Sequence, residues 1–241
     1  MPNAFPSPRM VDNEISSLYV ISESPDSGAV EYLQNGLNEM SNANHHFQLP
    51  QSSRNLSYDY PDGVSFWDDQ NDEKVDFELK SNFKNTDIFL FFSGRINLNN
   101  QFESLVFLLE ENQTFELVRI ITFLDARTLE SGNPKLVTWI NANVHFSDAV
   151  CFFNRSNRNA SLISNLIKQY DQLRYPLETY LIPNSSTKHC QSILNSTVKR
   201  ISHAFDPADL LDAEDTPLND PYLKKLSNGT REKTIPQPFD F

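Results

Sequence analysis

Apolar and polar positions along the chain alternate between two rhythms. Ser17-Leu18-Tyr19-Val20-Ile21 is a short apolar run bounded by turn residues, as a buried strand would be. Val30, Leu33, Leu37 and Met40 then recur at helical spacing, which predicts an amphipathic helix over 29–40. After a polar stretch, His46–Leu49 is a possible strand and Gly63–Trp67 a strand or a loop. Val75, Leu79 and Phe83 share one face of a helix predicted over 71–83. The strongest segment is Asp87–Phe92, a continuous apolar run stopped by Ser93-Gly94, which suits a parallel strand covered on both faces. Beyond it the pattern predicts helices over 102–110, 135–146, 161–170 and 187–205, and strands over 117–124, 149–153 and 177–182.

Strands alternating with helices predict an α/β fold, a doubly wound and mostly parallel sheet over residues 15–205 with helices on both faces. Residues 1–14 read as a loose Pro-rich arm. After Asp206 the patterning fails, prolines and acids accumulate, and residues 206–241 read as a tail or as a strap over the domain. Ligands of such sheets bind beyond the carboxyl ends of the strands. The segments to watch are therefore Ser22–Gly28, Ser93-Gly94-Arg95, Asp125-Ala126-Arg127 and Asn154–Asn157.

Composition narrows the chemistry. The 241 residues include 18 Phe and 39% hydrophobic positions, enough for a well-buried core. A net charge of −12 disfavours nucleic acid and anionic membrane as partners. The two cysteines do not make a disulfide scaffold, and Cys151 sits in an apolar run as a small hydrophobe. No run has the length of a membrane span and Met1–Arg9 lacks a signal-peptide core, so the expected location is cytoplasmic. His and Cys spacings give no zinc site, and no G-x-S-x-G elbow occurs.

The first strand-to-helix turn reads Ser22-Glu23-Ser24-Pro25-Asp26-Ser27-Gly28-Ala29, and the first lysine of the chain is Lys74. A phosphate loop needs a glycine-rich cradle and a lysine; here two acids oppose the anion. Ser24, Ser27 and Gly28 could still offer phosphate contacts, or the turn is a plain one capped by Asp26 or Ser27. Asp125 could hold a metal or a ribose, or cap the following turn. Arg95 and Arg127 could converge on an anion or stay solvated. Asn154 could read a base or hold its loop by Asx-turn bonds.

The order of these segments, from about Leu18 to Ile182, resembles the CobW family of P-loop GTPases, which includes zinc and cobalt metallochaperones. Asp62–Trp67 stands where that family has an Asn-Gly-Cys-x-Cys-Cys metal motif, and Phe91-Phe92-Ser93-Gly94 stands for its Glu-x-x-Gly. Phe123-Leu124-Asp125-Ala126 matches its Val-Asp-Ala-like turn, and Asp148–Asn157 its base-reading motif. The three thiols are Val64, Phe66 and Trp67 here, the acid before Ser-Gly is Phe91, and the base-reading Lys and Asp are Arg155 and Asn157.

The resemblance implies a P-loop GTPase-like fold and places a nucleotide against Ser24, Ser27, Gly28, Ser93, Gly94, Asp125, Asn154, Arg155 and Asn157. GTP and magnesium enter only through it, and no catalytic residue or metal ligand is assigned. The resulting expectation is a pseudo-GTPase acting through a protein partner, with Phe66 and Trp67 as exposed contact candidates, Trp67 being at least as much a candidate for the core. The rivals are a metallochaperone-type GTPase with atypical motifs, and an unrelated Rossmann-like enzyme using the same strand ends.

Overall fold

The computed structural model describes residues 15–40, 44–55, 57, 60, 62–79, 83–183, 186–195, 197, 200–206 and 216–239. The arm proposed over 1–14, the stretch 207–215 and Val198 lie outside them. Seven strands form one sheet: β1 (Ser16–Glu23), β2 (His45–Pro50), β3 (Val64–Trp67), β4 (Asp87–Phe91), β5 (Phe115–Asp125), β6 (Ala149–Phe153) and β7 (Glu178–Leu181). All neighbours are parallel, in the order β3-β2-β4-β1-β5-β6-β7. The familiar dinucleotide-binding order is 3-2-1-4-5-6. Here β4 inserts between β2 and β1, so the chain crosses over β1 on its way to β5.

The period of two along each strand divides the core into two layers. Leu18, Val20, Ile88, Leu90, Ile120, Leu124, Val150 and Phe152 face one layer. Helices α2 (Leu98–Glu111), α3 (Pro134–Phe146) and α4 (Ala160–Gln172) cover it. Tyr19, Ile21, Phe89, Phe91, Ile121, Phe123, Cys151 and Phe153 face the other, under α1 (Ala29–Glu39) and α5 (Cys190–Asn195). This is the doubly wound α/β arrangement that the alternation predicts.

Much of the phenylalanine is spent on ring-to-ring packing. Tyr19, Phe89 and Phe47 stack across three adjacent strands, with centroids 4.9 and 5.2 Å apart. On the opposite face Trp67, Phe77, Phe92, Phe102 and Phe146 form a continuous aromatic chain. Of the two roles open to Trp67 the structure shows the core one: it is 0% exposed and its indole N–H donates to the Phe91 carbonyl at 3.0 Å. Phe66 is half-buried between Tyr60 and the Arg54 guanidinium.

Two predicted helices are absent or shortened. Residues 71–79 form no helix, because Asn71 and Asp76 bond the backbone N–H groups of Glu73 and Glu78 in local turns. Glu78 has φ 50, outside the helical region. Among the described residues of the helix predicted over 187–205, only Cys190–Asn195 are α-helical. Farther on, the Arg200 N–H goes to Asp148 and the Ser202 N–H to the His145 carbonyl, in place of helical partners.

Helix α1 meets α5 closely at Gly36. A Cβ placed there would lie 2.6 Å from the Cys190 Cβ, a distance real structures do not tolerate. Gly36→Ala is expected to destabilise the protein by ~1–3 kcal/mol of overpacking despite its better helix propensity. A urea titration beside Cys190→Gly/Gly36→Ala, which restores the space, checks this: the double variant should recover most of the loss.

Residues 216–239 run back as a strap over α2 and α3. Asn99 Nδ2 donates to the carbonyls of Tyr222 and Lys233, and Asn99 Oδ1 accepts the Ile235 N–H at 2.8 Å. Arg231 and Lys225 both pair with Glu103, at 2.7 and 2.6 Å. Phe239 meets Trp139 edge-on at 5.3 Å, and Asn133 Nδ2 donates to the Pro238 carbonyl.

Candidate functional site

The strand ends predicted to bind a ligand bring the candidate residues to two separate places. One is the crevice beyond β1 and β4. Ser22, Glu23, Ser93 and Gly94 line it, but Gln237 and Phe239 of the strap close it, leaving about 10 Å³. That is room for about one water molecule and nothing larger. Ser93 is committed within the chain: its hydroxyl donates to Asp69 at 2.5 Å and accepts the Arg95 N–H, while its own N–H donates to Gln101. Asp69, buried, also accepts from the Ser52 N–H and hydroxyl, tying the ends of β2, β3 and β4 together. Asp69 and Gln101 carry no signal in the sequence, since neither lies in a recognisable motif.

The β1–α1 turn is equally self-contained. Ser24, buried, accepts the Asp125 N–H on its hydroxyl at 2.8 Å, joining the ends of β1 and β5. Gly28 is the N-cap of α1 with φ 74, a conformation that favours glycine. Neither Asp26 nor Ser27 is the cap residue, although the Ser27 hydroxyl accepts the Ala29 N–H from one position earlier. That hydroxyl also donates to the Glu23 carboxylate.

Glu23, Asp26 and Glu31 thus surround the helix end where a phosphate would need positive charge. Burial pushes the Glu23 carboxyl up to about 7, against the opposing effect of the Ser27 hydrogen bond. A carboxyl raised in this way favours the fold when protonated, so its contribution falls as pH rises from the ordinary value near 4.5 through 7. Glu23→Gln is expected to stabilise the protein by about 2 kcal/mol at pH 8 and to change little at pH 4. Urea midpoints at the two pH values check it.

Asp125 ends β5 and caps the short 3-10 turn Ala126–Ser131 by accepting the Arg127 N–H at 2.8 Å. The Arg127 guanidinium lies back on the same carboxylate through Nε and Nη2, and Asp125 raises the arginine's own pKa. Asn154 Nδ2 donates to Asp125 at 3.1 Å. Asn154 has φ 53, and its carbonyl is held by the fully buried Asn159. Arg127 is therefore occupied by Asp125, and Arg95, Arg155 and Asn157 are exposed. Ser24, Asp125 and Asn154 form one linked cluster, whereas Ser93 and Gly94 belong to the closed crevice.

The second place is an open groove of about 820 Å³ between α1 and the ends of β6 and β7. Gly28, Glu31, Asn35, Asn38 and Glu39 give one wall, and Asn154, Pro183, Ser186 and Thr187 the other. Of the nucleotide candidates, Ser27, Gly28 and Asn154 touch it.

Among the described residues no group of three His, Cys, Asp or Glu side chains is placed to hold a metal ion, and no helix is long and apolar enough to cross a membrane. The chain matches no family model, no curated protein and no solved structure.

Proposed function

We propose that this chain is a degenerate CobW-type G domain, a nucleotide-binding fold that no longer handles nucleotide and acts through contacts with another protein. The observation that carries this reading is the acidic amino end of α1, where Glu23, Asp26 and Glu31 surround the place a P-loop phosphate would sit. The crevice beyond β1 and β4, beside Ser93 and Gly94, is closed by Gln237 and Phe239. The groups that would meet phosphate and magnesium fit them poorly. Glu23 and Asp26 stand in place of a lysine, and Asp125 is neutralised by Arg127. A magnesium ion would have to displace that arginine to gain a carboxylate.

Release of inorganic phosphate from GTP or ATP with magnesium tests the reading. Turnover equal to a protein-free control is expected; turnover above it, lost in Arg127→Ala, would establish the metallochaperone-type GTPase instead. One observation favours the unrelated enzyme: Asp125 and Asn154 face each other at 3.1 Å beside the open groove. The bidentate arginine on Asp125 weighs against it, because the carboxylate oxygens a substrate or metal would need are already taken by the guanidinium.

A further inference from the structure

The sequence contains two Asn-Gly dipeptides, Asn35-Gly36 and Asn228-Gly229. Asparagine followed by glycine is open to self-modification, because no Cβ hinders attack of the glycine nitrogen on the asparagine Cγ. The fold treats the two differently. Asn35 and Gly36 lie inside α1. There each backbone N–H is bonded to the carbonyl four residues back, and helical ψ turns the glycine nitrogen away from the side chain. Gly36 is also buried against Cys190.

Asn228 and Gly229 lie instead at the tip of a small hairpin in the strap. Lys225 and Arg231 form its antiparallel bridge, the Leu226 N–H donates to the Thr230 carbonyl at 2.7 Å, and the Glu232 N–H donates to the Lys224 carbonyl at 3.0 Å. Residues 225–230 are all exposed. The Gly229 N–H is held by one exposed turn bond, to the Leu226 carbonyl at 2.9 Å. Such a bond opens at little cost. A second observation is independent of exposure. Asn228 Oδ1 accepts from the Thr230 N–H at 3.0 Å and from the Thr230 hydroxyl at 2.7 Å. Two donors on that oxygen draw charge from the amide and favour attack at Cγ, as an oxyanion hole does.

We propose that Asn228 is a site of spontaneous modification, at which its side-chain amide is exchanged for a carboxylate within the folded protein. The Gly229 nitrogen gives up its proton and bonds to Asn228 Cγ. The Cγ–Nδ2 bond breaks, and the amide nitrogen takes up a proton and leaves as ammonia. Water then opens the cyclic imide at either carbonyl. Opening at Cγ leaves an aspartyl residue. Opening at the backbone carbonyl leaves an isoaspartyl residue, whose main chain runs through Cγ and is one carbon longer. The net exchange is one water in and one ammonia out, with a negative charge gained and no oxidant required. The longer chain does not fit the turn between Leu226 and Thr230. That hairpin presents Lys225 and Arg231 to Glu103 of α2, so the isoaspartyl form loosens this clasp of the strap.

The test ages the full chain in mildly alkaline buffer, folded and in urea, and follows both dipeptides by mass-spectrometric peptide mapping. In urea the two asparagines are expected to convert at similar rates. In the folded protein Asn228 should convert about tenfold faster than Asn35, since a helix interior opens more rarely than an exposed turn. Asn228→Gln should remove the product at this position and keep the thermal midpoint, because its ring closure would need a larger imide. Aged protein should exchange the Leu226 and Glu232 amides with deuterium faster while β5 and β6 are unchanged. Asn228→Asp, which gains the charge without the extra carbon, should not show this. Conversion of Asn35 in the folded protein as fast as that of Asn228, or conversion of Asn228 only in urea, would overturn the site. Aged, isoaspartyl-rich protein with unchanged exchange at Leu226 would overturn its effect on the strap. None of these readouts involves nucleotide, so this inference and the proposed function can fail separately.

Discussion

Asp148→Ala is expected to cost ~3–5 kcal/mol of stability, because it leaves a buried guanidinium without its main partner. Asp148 is 0% and Arg200 3% exposed. The carboxylate accepts the Ile120 N–H at 2.7 Å, the Arg200 N–H at 2.9 Å and the Arg200 guanidinium at 3.3 and 3.4 Å. Arg200 Nε already lacks a partner, and the remaining support comes from Asp206 at 2.9 Å and the Phe205 ring. Removing Asp148 strands two backbone N–H groups as well as a charge. Replacing both members with apolar residues of similar volume, Asp148→Leu/Arg200→Met, should restore a large part of the loss. Urea denaturation of the three proteins checks it, and a cost below about 1 kcal/mol for the alanine variant would show that the pair does not hold the fold. Asp148 stands at the amino end of β6, on the far side of the sheet from the ligand-facing loops. Its work is structural, although the family resemblance places it in a base-reading motif.

The second large effect concerns the strap. Asn99→Ala is expected to cost ~3 kcal/mol, at about 1 kcal/mol for each of three buried hydrogen bonds to strap backbone. Unlike the loss of Asp148, this one is local. The amides of the strap and of residues 92–96 should exchange with deuterium faster, while β5 and β6 keep their protection. A second anchor lies at the other end of the strap. Asp220 accepts from Ser202 at 2.6 Å and the Tyr222 N–H at 2.9 Å, and pairs with His145 at 2.7 Å. Burial raises the Asp220 pKa, but His145 and these donors outweigh it and hold the carboxyl below its ordinary value. The strap should therefore stay docked at Asp220 in Asn99→Ala and lose its hold near Ile235. Uniformly faster exchange across the whole sheet would mean that Asn99 supports the core and not the strap.

The parts of the fold legible in the sequence are those set by local repetition. Apolar runs such as Asp87–Phe91 and Ala149–Phe153 are buried on both faces and read directly as parallel strands. The segment 71–79 misleads because Val75 and Leu79 lie four apart, as in a helix, yet they pack against the core from an irregular chain held by Asx turns. The strap carries no local pattern, since its backbone partners are side chains more than a hundred residues earlier, Asn99 and Asn133. Ser24, Asp125 and Asn154 could be placed at strand ends from the sequence, and they do meet. That Arg127 turns back onto Asp125, and that Asp69 and the strap take up the space around Ser93, depends on tertiary packing that no spacing encodes.

Calorimetric titration of the full chain with GTP and with ATP, magnesium present, tests the central claim most directly. With the crevice filled by Gln237 and Phe239 and acids in place of the phosphate lysine, neither nucleotide should give a binding isotherm at millimolar concentration. Saturable binding of either one, weakened in Arg127→Ala, would contradict the account and make the strand-end arginines the site.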